Sequence, residues 1–161
     1  MPQRRTSNER RRKWSLVRRE DGVAMVEFAL VLPLLLLLIF GILEFGRAFN
    51  YWIDANHLAN VAARFAAVDT NPGAHDGQSL QAWIDAQGDT AEMRGASQVC
   101  IDFPDGSAQV GDPVEARVTV DFNWMPLMDN ALGVGSTSLS GTATMRLERP
   151  PSAYNDECFS V

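Results

Sequence analysis

The chain reads as an α+β protein: one long N-terminal helix laid against a small antiparallel sheet. Two observations predict this. Apolar residues run without a break through residues 28–43, and a three- and four-residue repeat follows them to about residue 68. After that the pattern changes to period two, most clearly in Val114-Glu115-Ala116-Arg117-Val118-Thr119-Val120-Asp121-Phe122. A sheet of such strands needs one covered face, and the apolar stripe of the helix is the nearest cover available.

Before the helix comes a basic leader, residues 1–21. Arg4, Arg5, Arg10, Arg11, Arg12, Lys13, Arg18 and Arg19 stand there against Glu9, Glu20 and Asp21, although the whole chain carries a net charge of −6. The leader shows no apolar face, and disorder is expected up to about Trp14. Trp14, Leu16 and Val17 suit a membrane surface. A basic tail also suits nucleic acid, but this one abuts an apolar run and lacks interleaved aromatics. It reads as a topology signal touching anionic lipid, with no nucleic-acid partner.

Residues 22–44 are expected to cross a lipid bilayer. They reach the roughly 20 residues a helix needs for the hydrocarbon core, with Glu27 inside them. Leu34 to Leu38 put apolar groups on every face, which a buried helix of a soluble domain rarely does. The positive-inside rule puts the N-terminus in the cytoplasm and the rest outside the cytoplasmic membrane. A cleaved secretory signal would fit Gly46-Arg47-Ala48 only loosely, because the apolar run is too long and helical patterning continues past it. Arg18-Arg19 as a twin-arginine signal is opposed by Glu20 and Asp21.

Residues 45–70 continue the same helix. Phe45, Ala48, Trp52, Ala55, Leu58, Ala59, Ala62, Phe65 and Ala66 form its stripe, with Asn50, Asp54, Asn56 and Arg64 off it. The helix is expected over residues 23–68, roughly 70 Å at 1.5 Å per residue, and Asn71-Pro72-Gly73 is expected to end it.

Residues 71–161 form the head. A short helix over residues 79–86 shows Leu80, Trp83 and Ile84. Strands are expected at residues 98–103, 114–122 and 137–148, with Pro104-Asp105-Gly106 and Gly111-Asp112-Pro113 as turns. In the last strand Leu139, Gly141, Ala143, Met145 and Leu147 share a face. Trp124, Met125, Leu127 and Met128 lie in a loop over residues 123–135, as domain core or as a docking patch. Pro150 and Pro151 stop the sheet, and the tail to Cys158 is expected to be irregular.

Candidate chemistry is sparse. Cys100 and Cys158 both fall on the exported side, where an oxidising compartment permits a disulfide. A metal pair lacks CxxC or histidine spacing, and His57 and His75 have no carboxylate or thiol at ligand distance in sequence. No nucleophile elbow, phosphate loop, HExxH or carboxylate pair stands out, so no enzyme activity and no cofactor are expected. Glu44 and Arg47 make an i,i+3 pair at the outer interface. Pro33 removes one helical hydrogen bond and is placed to kink the span.

Gly22-Val23-Ala24-Met25-Val26-Glu27-Phe28, at the membrane entry after a basic leader, resembles the processing motif of type IV pilin-like proteins. Joined to Ala29, Pro33 and Glu44-Phe45-Gly46-Arg47, it resembles the TadE-like family of pseudopilins from tight-adherence (Tad) pilus systems. Ala59-Asn60-Val61-Ala62-Ala63-Arg64, Gly111-Asp112-Pro113-Val114 and Thr144-Met145-Arg146-Leu147-Glu148 agree with it more loosely. The resemblance implies that a prepilin-type aspartyl peptidase cuts after Gly22 and leaves Val23 as the new N-terminus. It implies that Glu27 sits in lipid and pairs with the Val23 amine of an adjacent subunit; the plain alternative is that Glu27 reaches back to water at the interface. Phe28 and Pro33 belong to the same packing surface. Val23 is not aromatic, which departs from the methylated aromatic of major pilins, and the bulky head suits a minor subunit. The chain is thus expected to be a structural part of a pilus, whose partners are the bilayer, the peptidase and other pilins. An unprocessed, signal-anchored adhesin or ligand-binding protein shares this topology.

Overall fold

The structure is a computed structural model. It describes residues 7–159 except 92, 127, 128, 131, 132 and 155, and for residues 7–21 the backbone alone. In chain order the elements are α1 (Ser7–Ala67), a 3₁₀ turn (Ala74–Asp76), α2 (Leu80–Asp85), β1 (Ser97–Asp102), β2 (Pro113–Asn123), β3 (Ser136–Arg146) and β4 (Cys158–Phe159). The chain divides into two compact units, Met1–Leu43 and Glu44–Val161.

The first unit is helical from Ser7, well before the expected start at Val23. Residues 7–14 are therefore helix, where disorder was expected. Lys, Arg, Glu and Leu are good helix formers, and each residue added to an existing helix avoids the cost of nucleation. Met1 to Thr6 lie outside the described residues, as do the side chains of Trp14, Leu16 and Val17. Helix continues through Pro33. From Val23 to Leu43 most large apolar side chains are exposed: Met25, Leu30 and Leu34 show 70 % of their surface or more.

The second unit is the α+β head. Its sheet is antiparallel throughout, in the order β3-β2-β1-β4. β2 alternates as its sequence dictates: Val114, Ala116, Val118, Val120 and Phe122 are buried, while Glu115 and Arg117 on the other face pair at 2.8 Å. Strand β3 buries Gly141 and half-buries Leu139, Ala143 and Met145, the face expected of it. The last described strand, β4, was not foreseen. It is two residues long and is set by its pairing with β1 rather than by its own pattern.

The Glu44–Ala67 part of α1 packs on this sheet through Tyr51, Ala55, Leu58, Ala59, Ala62, Ala63 and Ala66, all buried. Three positions differ from the expected stripe. Phe45, expected on it, stays 68 % exposed. Tyr51, edge-on to Phe122 at 5.3 Å, takes the core position, and Trp52 stays 45 % exposed. Asp54 is buried, and one carboxylate oxygen accepts the Asp89 N–H at 2.8 Å. The last two follow from the true direction of the buried face, about one residue away from the stripe through Trp52.

Helix α1 ends at Ala67, before Asn71-Pro72-Gly73. Asp69 adopts φ 52°, Thr70 N–H bonds Phe65 C=O at 3.0 Å, and Asp69 N–H bonds Ala66 C=O at 3.2 Å. These are the two bonds of a Schellman ending, with Asp where glycine is usual. Downstream, Ser79 caps α2 by accepting the Ala82 N–H at 3.1 Å. Asp85 at its other end accepts the N–H groups of Gly95 at 2.7 Å and Ser97 at 3.0 Å, and the Ser97 hydroxyl. That carboxylate joins α2 to the first residue of β1.

Candidate functional site

The residues singled out at the membrane entry all lie on α1. Gly22 is open: a Cβ built there meets nothing within 4 Å. Val23 is 59 % and Phe28 61 % exposed, and Glu27 and Pro33 are exposed beside them. Among the residues whose side chains are described, no cation pairs with Glu27. An apolar helix exposed on all sides is unstable in water and stable in lipid. It is the one helix among the described residues long and apolar enough to cross a membrane, with a mean hydropathy of 2.8 over its most apolar 18 residues.

The second unit opens on a different kind of acid. Glu44 is fully buried. One oxygen accepts the Arg47 guanidinium at 2.7 Å, and the other accepts the Met125 backbone N–H at 3.0 Å. A buried carboxylate is costly unless paired and hydrogen-bonded, and both oxygens are satisfied here. The Arg47 guanidinium also lies 5.3 Å over the Phe122 ring. Trp124 is edge-on to Phe122 at 5.1 Å and to Phe45 at 5.5 Å, and its indole N–H donates to the Thr137 hydroxyl at 2.9 Å. The start of the loop after β2 is thereby fastened to the first turn of the head's helix. Leu127 and Met128, read with Trp124 and Met125 as core or docking patch, lie outside the described residues.

At the other end of the head, Asp69 holds the C-terminal tail. Its carboxylate accepts the N–H groups of Ser152 at 2.6 Å and Ala153 at 2.7 Å, and the Ser152 hydroxyl. Desolvation pushes the carboxyl pKa up, but these hydrogen bonds, with Arg149 nearby, outweigh it and hold the pKa below its ordinary value. Tyr154 donates its hydroxyl to the Ala66 carbonyl at 2.9 Å, and burial and the Asp69 charge push its pKa up to about 12. Cys100 and Cys158 face each other in the β1–β4 register and are joined by a disulfide.

Residues 22–64 match the family model described as TadE-like protein. Over this stretch the chain is TadE-like. The match begins at Gly22 and takes in Glu27, Pro33, Glu44 and Arg47. Neither a curated protein nor a solved structure matches the chain. Residues 22–64 are thus similar to a family of TadE-like proteins, and their apolar half makes the chain a candidate single-pass membrane protein.

Most of what the head does with the TadE-like segment was not legible beforehand. Glu44 and Arg47 pair as i,i+3 spacing suggests, but the Met125 contact joins positions 81 apart. An acid inside an apolar run was the only local sign of it. Asp54 was placed off the apolar stripe and is instead buried. Asp69 carried no sign beyond its place at the end of the helical repeat.

Proposed function

We infer that this chain is a minor pseudopilin of a Tad-type pilus, held in the cytoplasmic membrane by one span, with its N-terminus in the cytoplasm and its head outside. The observation that carries the reading is where the TadE-like match falls. It opens at Gly22, where the basic part of α1 gives way to a part with exposed apolar side chains and Glu27 five positions on. A prepilin-type aspartyl peptidase cuts after Gly22, and Val23 becomes the N-terminus. Glycine at the cut lets the helix unwind into an extended strand in the protease cleft, since it weakens a helix by about 0.5–1 kcal/mol relative to alanine. Glu27, without a cation among the described side chains, takes the new Val23 amine of a neighbouring subunit as its partner, which sets the axial stagger between packed helices. Phe28 and Pro33 form part of the same packing surface. The work is structural: the chain is a substrate of an enzyme and catalyses nothing itself.

N-terminal sequencing and intact mass of the protein from cells with and without the peptidase test this. The expected mature chain starts at Val23 only when the peptidase is present. Because the surroundings of Gly22 are empty, Gly22→Val leaves the fold intact, and its expected loss of processing reports on the peptidase alone. Glu27→Val is expected to be processed normally and to assemble poorly. A chain that keeps residues 1–22 beside an active peptidase would return the protein to the signal-anchored class.

A further inference from the structure

Exposed apolar surface on α1 does not stop where the span does. Phe45 is 68 %, Phe49 58 %, Trp52 45 % and Ile53 48 % exposed, and the next large exposed apolar residue along the chain is Val110. The four lie at steps of four, three and one, so they share one helix face, turned away from the buried Tyr51, Asp54 and Ala55. Phe49 and Trp52 touch, with ring centroids 5.6 Å apart.

We propose that this face is a lipid-contact surface: the Phe45–Ile53 part of α1 lies in the outer headgroup and upper acyl region of the bilayer. The inference rests on reading residues 22–44 as a span. Three observations favour lipid over a partner helix. The strip follows directly in sequence on a run of side chains exposed as a lipid-facing helix exposes them. It is short: beyond Ile53 the exposed positions of α1 are His57, Asn60 and Arg64, whereas a helix-packing seam would continue along the helix. Its composition is that of an interface, with Phe and Trp flanked by Arg47 and Asn50.

The distances agree. Leu43 to Ile53 spans about 15 Å along a helix, while the headgroup layer adds about 5–8 Å on each side of the hydrocarbon core. Helical side chains point back toward the N-terminus and cover the preceding turn, about 5 Å nearer the membrane. A helix tilted toward this face within the usual range then brings all four side chains into the layer.

The test uses the whole chain in phosphatidylethanolamine–phosphatidylglycerol vesicles, comparing the natural protein with Trp52→Phe. The difference in emission reports on Trp52 alone. It is expected to be blue-shifted, shielded from aqueous iodide, and roughly halved by lipids brominated at shallow acyl positions, as for an interfacial indole. Iodide quenching without bromolipid quenching overturns the proposal. So does shielding that disappears as the protein is diluted in lipid, which marks a protein contact. Alkaline carbonate separates the two readings: a chain that resists extraction but leaves Trp52 in water refutes the lipid face alone, while an extracted chain refutes the span as well. Benzoylphenylalanine placed at Phe49 gives a second measure, with lipid adducts expected and exclusively protein adducts contrary.

Discussion

Gly141 of β3 lies against the backbone of Ala55 on α1. A Cβ built on Gly141 falls 2.5 Å from the Ala55 carbonyl carbon, 2.6 Å from its oxygen and 2.4 Å from the Asn56 nitrogen. Those atoms are helix backbone and cannot swing aside. Helix and sheet come this near at Gly141 because a residue with no side chain meets one with a single methyl. Ala59, Ala62, Ala63 and Ala66 carry the same close packing along the helix.

Gly141→Ala is expected to destabilise the head by about 1–3 kcal/mol, the usual cost of forcing atoms into a filled core. Chemical denaturation in detergent, followed by Trp83 and Trp124 fluorescence, measures it. Gly46→Ala is the control. Its surroundings are open, so it is expected to leave stability unchanged or raise it by about 0.5–1 kcal/mol through helix propensity.

Glu44→Ala strands the Met125 N–H and frees Arg47, at an expected cost of about 1–3 kcal/mol from the unsatisfied donor. Glu44→Gln keeps an acceptor for Met125 and is expected to cost less. Amide hydrogen exchange distinguishes a local from a global effect: the Met125 amide is expected to lose protection first in the alanine variant. Equal loss across β1 and β2 would show that Glu44 supports the whole head.

The Asp69 clamp makes the tail acid-sensitive. Its folded pKa lies below the ordinary carboxylate value, so the clamp's contribution is fully present above that value and is lost as pH falls through the folded pKa. Protease resistance of the tail after Pro151 is expected to hold at neutral pH and to decline as pH drops below about 4. Asp69→Asn keeps the size and tolerates φ > 0 but carries no charge. It is expected to weaken the clamp at neutral pH and to flatten the pH dependence.

Reducing the Cys100–Cys158 disulfide removes a link between positions 58 apart. The expected loss is about 2–4 kcal/mol, felt first in the β1–β4 pairing and in the tail. Comparing Tm with and without reductant checks it, with Cys100→Ser as a second route. An unchanged Tm would mean that Asp69 and Tyr154 hold the tail without help.

Much of this architecture was open to reading from local pattern. Residues 28–43 are apolar on every side, a property of composition that needs no partner to express it. Strands β2 and β3 declare themselves because period-two burial is written into each strand separately, down to which face Gly141 occupies. The same local rule misplaced the helix stripe at Trp52, since a face broad enough to include both Tyr51 and Trp52 leaves its direction undetermined until a sheet is present.

The amino-acid order by itself determined the long apolar helix, the change from helical to strand pattern and the acidic head behind a basic leader, because each depends on neighbours a few positions away. Tertiary structure decided what the carboxylates of the head do, Glu44, Asp54 and Asp85 buried and Asp69 half-buried. Glu44, Asp54, Asp85 and Asp69 look alike in the sequence, yet each accepts hydrogen bonds from backbone groups brought to it from another part of the chain. A carboxylate costs less to bury where such donors reach it, and three of those meetings join positions between 35 and 83 residues apart.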